Sequence, residues 1–348
     1  MRYFNLRKPA RLLILVIVSV FSLGCSQHKE LSSALEDYHQ RLASILDAEP
    51  VELAFIAQID FPAKQSLYQK PQDVTFNVRE FYALPDCRLN TLIAERNTGL
   101  GKTQLPSQRF VYETDLLSAL RECISLSDDE RVKAKLSEVL NVKQNQYADS
   151  YANLVQTSDE VFLSFTQSNG FISGDASDGY QETRLALQYI AAIADPSQGD
   201  ISVTSEQLES SLKDLNQFRL NARLWRSQQL LSEWFELSTP WLDTHTKQLS
   251  CKGRLDQQKA KYLQNVFMMF FADKIQPIAS QLNHYHYQLE PTMNEFVNNE
   301  DLAPAWRNAV NQQKNQQHLR YTAAIKRHIL VWQALFKRCG LSPMQKQS

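Results

Sequence analysis

Apolar residues recur at spacings of three and four through nearly every long segment of this 348-residue chain, and only nine glycines interrupt it. That period lays one apolar face along an α-helix, whereas a half-buried strand needs strict alternation. Nine glycines are well under half the ordinary share of about 7%. Gly99, Gly101, Gly170, Gly174, Gly179, Gly199, Gly253 and Gly340 all fall between periodic segments, where they supply caps and turns. The segments themselves are rich in Leu, Ala, Gln, Lys, Arg and Glu, which are good helix formers, and lack β-branched alternation. The expected fold is all-α, a bundle of long antiparallel helices. No short repeat is present to make it a solenoid.

Individual helices follow from the pattern. Leu31 to Leu46 places Leu31, Leu35, Tyr38, Leu42 and Ile45 on one face. Val74 to Leu84 and Asp86 to Asn97 read as two helices broken at Pro85, with Asp86 as the cap. Ser107 to Leu126 returns alongside. Ser127-Asp128-Asp129-Glu130 opens a helix expected to run to Ser168, about 60 Å, along Val132, Leu136, Val139, Lys143, Tyr147, Tyr151, Leu154, Ser158, Val161 and Phe165. A shorter helix spans Tyr180 to Ala194. A second long one runs from Thr204 to Ser238, with Pro240 as a kink or stop, and the last hairpin pairs Leu255 to Leu289 with Leu302 to Lys337, kinked at Pro277.

The N-terminus sets a location. A basic, acid-free segment through Arg11 precedes the apolar run Leu12 to Phe21 and then Ser22-Leu23-Gly24-Cys25, the layout of a secretory signal. A bilayer-spanning helix takes about 20 apolar residues, twice this run. The Ser-Leu-Gly-Cys ending resembles the bacterial lipobox, which implies acylation of Cys25 as the new N-terminus. Ser26 follows it, and in the sorting rule that resemblance implies an Asp there would favour the inner membrane; the expected site is therefore the periplasmic face of the outer membrane. The expected organisation is a signal peptide over residues 1–24, a lipidated cysteine and tether over 25–33, one helical domain over 34–340 divisible at 126/127, and a polar tail over 341–348. Removing the signal removes four basic residues and no acid, so the net charge falls from −1 to −5. No basic excess remains to attract nucleic acid. Cys87, Cys123, Cys251 and Cys339 are an even number for an oxidising compartment. Of three pairings, Cys87 with Cys123 and Cys251 with Cys339 is favoured, because each pair sits at the open end of an expected helical hairpin.

Signatures of chemistry are sparse. Thr98-Gly99-Leu100-Gly101-Lys102-Thr103 ends like a phosphate-binding loop, yet Arg96 stands where the first glycine belongs and a helix precedes it, so no nucleotide is expected. His286 and Glu290 share a helical face but suggest no third metal ligand, and Asp243 with His245 is no stronger. No His-Glu-x-x-His or Gly-x-Ser-x-Gly segment occurs. Neither catalytic residues, cofactor nor metal are expected. The most unusual composition is Glu95, Arg96 and Asn97, followed across a turn by Ser107, Arg109 and Glu113. It reads as a recognition surface in which Arg96 and Arg109 grip a carboxylate or a partner loop. The simpler reading is a structural turn, with Asn97 and Ser107 as caps and the four charged residues paired among themselves.

The same region, Asp86 to Leu89, Leu92 to Lys102, Pro106 to Arg109, Tyr112-Glu113 and Cys123, resembles a family of proteobacterial lipoproteins catalogued as a domain of unknown function. The resemblance implies a helical lipoprotein and supplies no activity. The expectation is a non-enzymatic helical binding or scaffold protein on the outer membrane, with an envelope or periplasmic protein partner. A cell-wall hydrolase, or a ligand-binding protein with its site in a bundle groove, is the alternative.

Overall fold

The computed structural model describes residues 30–52, 58–72, 74–175, 178–195 and 203–342. The signal, Cys25 and the first tether residues lie outside them, as does the tail from 343. Sixteen α-helices are described among these residues, with no strand. They are α1 Glu30–Leu46, α2 Lys64–Leu67, α3 Val78–Tyr82, α4 Arg88–Arg96, α5 Gly99–Lys102, α6 Pro106–Leu126, α7 Glu130–Asn145, α8 Tyr147–Thr157 and α9 Asp159–Thr166. Then come α10 Tyr180–Ala192, α11 Ser205–Phe218, α12 Leu220–Lys247, α13 Arg254–Val266, α14 Gln276–Asn298, α15 Pro304–Asn311 and α16 His318–Cys339. The protein is an all-α helical bundle. No described helix is long and apolar enough to cross a membrane.

The main core forms where α12 lies along α16, with α1, α13 and α14 around them. Leu31, Leu35, Tyr38 and Leu42 of α1 meet Trp234 and Phe235 of α12 and Trp332 and Phe336 of α16, all buried. Full burial of each large apolar side chain contributes roughly 1.5–3 kcal/mol before entropy is counted. His328 stands at the centre. Thr239 Oγ1 lies 3.0 Å from its Nδ1, the Tyr38 hydroxyl is 2.9 Å from its Nε2, and Trp332 Nε1 donates to the Tyr38 oxygen at 2.8 Å. A smaller core, Leu89, Leu92, Leu116, Leu120, Cys123, Leu136 and Val139, sits between α4, α6 and α7. Because Phe110 and Leu117 of α6 belong to the main core, α6 ties the two together.

Several expected helices are interrupted. The 60 Å helix is three, broken at Gln146 (φ −89°, ψ −2°) and at Ser158, which is extended (φ −64°, ψ 139°). Apolar period persists across both breaks, so period alone conceals them. Buried Gln146 donates from Nε2 to the Gln72 carbonyl at 3.1 Å, and Ser158-Asp159-Glu160 is itself a helix start. The second long helix divides at Arg219, a left-handed residue (φ 46°) joining α11 to α12. Pro240 does not stop α12, which continues to Lys247; Pro240 is exposed, so water can satisfy the carbonyl it leaves unpaired. Val74 to Leu84 is helical only over Val78–Tyr82, where Asn77 and Glu80 form a capping box, and the N-cap of α4 is Cys87, not Asp86.

The last hairpin carries two π-helical stretches, Phe267–Ile275 and Gln312–Gln317. In the first, adjacent Phe270 and Phe271 are both buried, as the wider turn permits. Pro277, the expected kink, sits in the first turn after it. The disulfides join Cys87 to Cys123, with Cα atoms 5.7 Å apart, and Cys251 to Cys339, 5.0 Å apart.

Candidate functional site

A cationic cleft opens where α4, α6 and α7 meet residues 68–72 and 74–76. Arg96 ends α4. The chain then folds back tightly: Thr98 Oγ1 donates to the Glu95 carbonyl at 2.7 Å and accepts from Gly101 N at 3.0 Å, while Arg96 Nη1 donates to the Gly101 carbonyl. Glycine is required at 101, because a Cβ there would collide with the carbonyl oxygen of Glu95. The turn sets Lys102 beside Arg96 on the cleft wall, and the Cys87–Cys123 bond closes the far end of the hairpin.

The opposite wall comes from α6 and α7. Glu113 of α6, 4% exposed, pairs with Arg109 one turn earlier and with Lys143 of α7, whose Nζ is 3.2 Å from Oε2. Lys143 lies in the apolar stripe four residues after Val139 and is itself 6% exposed. A buried lysine and a part-buried arginine thus share one carboxylate, and burying surplus charge costs several kcal/mol unless a counter-charge is supplied. Arg109 Nη1 is buried with no hydrogen-bond partner, as is Gln104 Oε1. The roof is fastened by a reciprocal pair: Gln69 N donates to Asn153 Oδ1 at 2.8 Å, and Asn153 Nδ2 donates to the Gln69 carbonyl at 2.6 Å.

Two adjacent cavities result, of about 340 Å³ and 220 Å³, both lined by Arg96, Lys102 and Arg109. The larger adds Lys143 and an apolar wall of Phe76, Ile93, Leu116 and Val139. The smaller adds Lys70 with Gln104, Ser150, Asn153 and Thr157. No carboxylate is among the described residues lining either cavity, and neither Lys70 nor Lys102 has a described ion-pair partner. Five cations therefore converge in a chain whose net charge is −1. Tyr112 lies on the same wall, 5.3 Å from the Arg109 guanidinium; burial, reinforced by the Glu113 charge, pushes its pKa up to about 12.

Of the sequence candidates, Arg96, Asn97 and Arg109 line the cleft and Glu113 holds its cations from behind. Glu95 is exposed. Ser107 turns away, donating to Glu209 at 2.7 Å, and is not the expected cap: Leu105 N instead donates to the Gln108 side chain at 3.2 Å. Asn97 stands at the C-cap of α4. Sequence reasoning passes over Lys70 and Lys143 as site residues, and meets Lys102 only as the end of the crowded Glu95–Lys102 segment, with no role assigned to it. A lysine inside an apolar stripe was the available signal for Lys143.

Elsewhere, His286 stacks on His318 at 3.5 Å between ring centres, and Lys314 is 3.8 Å from Glu290. Burial, then the proximity of His318 and Lys314, draws the His286 pKa down to about 4. Asp243 pairs with Lys247 at 2.5 Å, and His245 Nδ1 donates to the Trp241 carbonyl at 2.8 Å. No group of three or more His, Cys, Asp or Glu among the described residues could hold a metal ion.

The fold and cleft define a disulfide-linked, all-α protein with a cationic cavity against its smaller core. The chain belongs to the family described as a protein of unknown function (DUF3080), whose model matches residues 35–343. No curated protein and no solved structure matches it.

Proposed function

We propose that this is a non-enzymatic binding protein of the bacterial cell envelope, held by acyl chains on Cys25 at the periplasmic face of the outer membrane, and that its ligand is anionic. One observation carries the ligand class: the cleft gathers Lys70, Arg96, Lys102, Arg109 and Lys143, with Arg109 Nη1 buried and unpartnered. A bound anion would supply that missing partner and balance the surplus charge. The acid-free basic segment, the ten-residue apolar run and Ser22-Leu23-Gly24-Cys25 support the anchor, and two cysteine pairs at bonding distance support an oxidising compartment. Both oxygens of Glu113 are occupied by cations, which favours a structural over a catalytic role for it.

Titration of inorganic phosphate into the protein lacking residues 1–25, which retains every described residue, tests the ligand class. Arg109→Gln is expected to weaken binding by roughly 10–100-fold, the worth of one charged hydrogen bond. Heat release identical in the two proteins would sink the reading. Incorporation of labelled palmitate in cells, lost in Cys25→Ser, tests the anchor. A second reading, an envelope or periplasmic protein partner presenting acidic groups, is favoured by Val78 and Tyr82, 74% and 81% exposed on the short helix following the cleft roof. A photo-cross-linker at position 82 in intact envelopes should then capture one defined protein.

A further inference from the structure

The larger cavity is more than a cationic patch. Phe76, Ile93, Leu116 and Val139 form one wall of it, while Arg96, Lys102, Arg109 and Lys143 stand around the remainder. Phe76 and Ile93 are only partly buried, so each keeps apolar surface turned to the cavity. A small inorganic anion would satisfy the cations and leave that wall wet. A neutral apolar molecule would cover the wall and leave Arg109 Nη1 unpartnered. Both requirements are met together by one molecule with a charged end and a hydrocarbon end.

The charge count selects the headgroup. Glu113 neutralises one of the two cations it touches; Arg96 and Lys102, which line both cavities, and Lys70, which lines the smaller, add three more. A carboxylate brings a single negative charge, whereas a phosphate ester brings up to about two, with several acceptor oxygens for guanidinium donors. Arg96, Lys102 and Arg109 line both cavities.

We infer that the cleft binds a single-chain amphiphilic phosphate, with its phosphate held by Arg96, Lys102 and Arg109 and its hydrocarbon laid against Phe76, Ile93, Leu116 and Val139. This rests on the anion-binding reading of the same cleft, and it adds the chemistry of the ligand's other end. The apolar wall makes affinity a function of chain length. Each methylene removed from water is worth about fourfold in affinity, until the cavity of about 340 Å³ is filled.

The test titrates inorganic phosphate, then butyl, hexyl and octyl phosphate below their aggregation concentrations, into the protein lacking residues 1–25 and into its Phe76→Ala variant. Phe76 lies on an irregular, partly exposed segment, and the variant's helical circular dichroism verifies that it folds. The expected result is affinity rising about fourfold per methylene in the parent and a shallower rise in Phe76→Ala, each protein's esters being referred to its own affinity for inorganic phosphate. Phosphate binding with no dependence on chain length overturns the inference and leaves the anion reading standing. A rise unaffected by Phe76→Ala places the chain elsewhere on the surface and also overturns it. Failure of inorganic phosphate and every ester to bind removes both. Octyl glucoside, neutral with the same chain, is expected to bind at least tenfold more weakly than octyl phosphate; equal binding overturns the phosphate assignment.

Discussion

Protonating His328 should unfold this protein, and the cost follows from its surroundings. The ring is fully buried at the junction of α1, α12 and α16. Burial, reinforced by the nearby His39, draws its pKa down to about 3. The hydrogen bonds show why the neutral form is required. Trp332 donates to the Tyr38 oxygen, so the Tyr38 hydroxyl proton is free to point at Nε2, and Nδ1–H donates to Thr239 Oγ1. A proton on Nε2 would remove the acceptor and bring an uncompensated charge into the aromatic core. In the unfolded chain the same ring titrates near 6.5. Between those two values the unfolded state binds the extra proton, so stability is retained above about pH 6.5 and lost as pH falls towards about 3. At pH 5 the loss is about 2 kcal/mol relative to pH 8, and it approaches about 5 kcal/mol below pH 3. Urea unfolding at pH 8, 6.5 and 5 measures it. In His328→Gln, which keeps an acceptor near Nε2 and cannot titrate, the drop between pH 8 and pH 5 should shrink by about 2 kcal/mol. Equal drops in the two proteins would refute the assignment of a neutral, proton-excluding ring.

Three further outcomes are expected. Replacing His286 with Gln should flatten the same pH dependence by roughly 1–2 kcal/mol between pH 8 and pH 5, since its pKa of about 4 also lies below the unfolded value; a slope unchanged from the parent would count against it. Glu113→Gln should lower stability by about 3–5 kcal/mol by stranding Arg109 and Lys143, and added phosphate should raise its melting temperature more than the parent's. Cys251→Ser with Cys339→Ser should cost about 4 kcal/mol in chemical denaturation, as expected for a bridge closing a separation of 88 residues, while removing the Cys87–Cys123 bond should also weaken phosphate binding, because that bond closes the hairpin carrying Arg96 and Arg109.

Local information determined a great deal. Helical period and glycine placement give the all-α class, and the positions of four cysteines around two expected hairpins give both disulfides, because each is a statement about neighbours along the chain or across one turn. The crowding of Arg96, Asn97, Arg109 and Glu113 into one hairpin was likewise visible. The tertiary structure decided where helices break and what enters the cleft. The three-and-four spacing carries on past Gln146 and Ser158, with polar interruptions at Lys143 and Ser158, and only the roof segment at Gln72, 74 residues away from Gln146, shows what holds the chain at the first break. Lys143 looks like a polar interruption until Glu113, 30 residues earlier, is seen against it. Lys70 belongs to no helix of the site at all. Such partners come together through packing between elements distant in sequence, and no periodicity within one element records which side chain a neighbouring element will present to it.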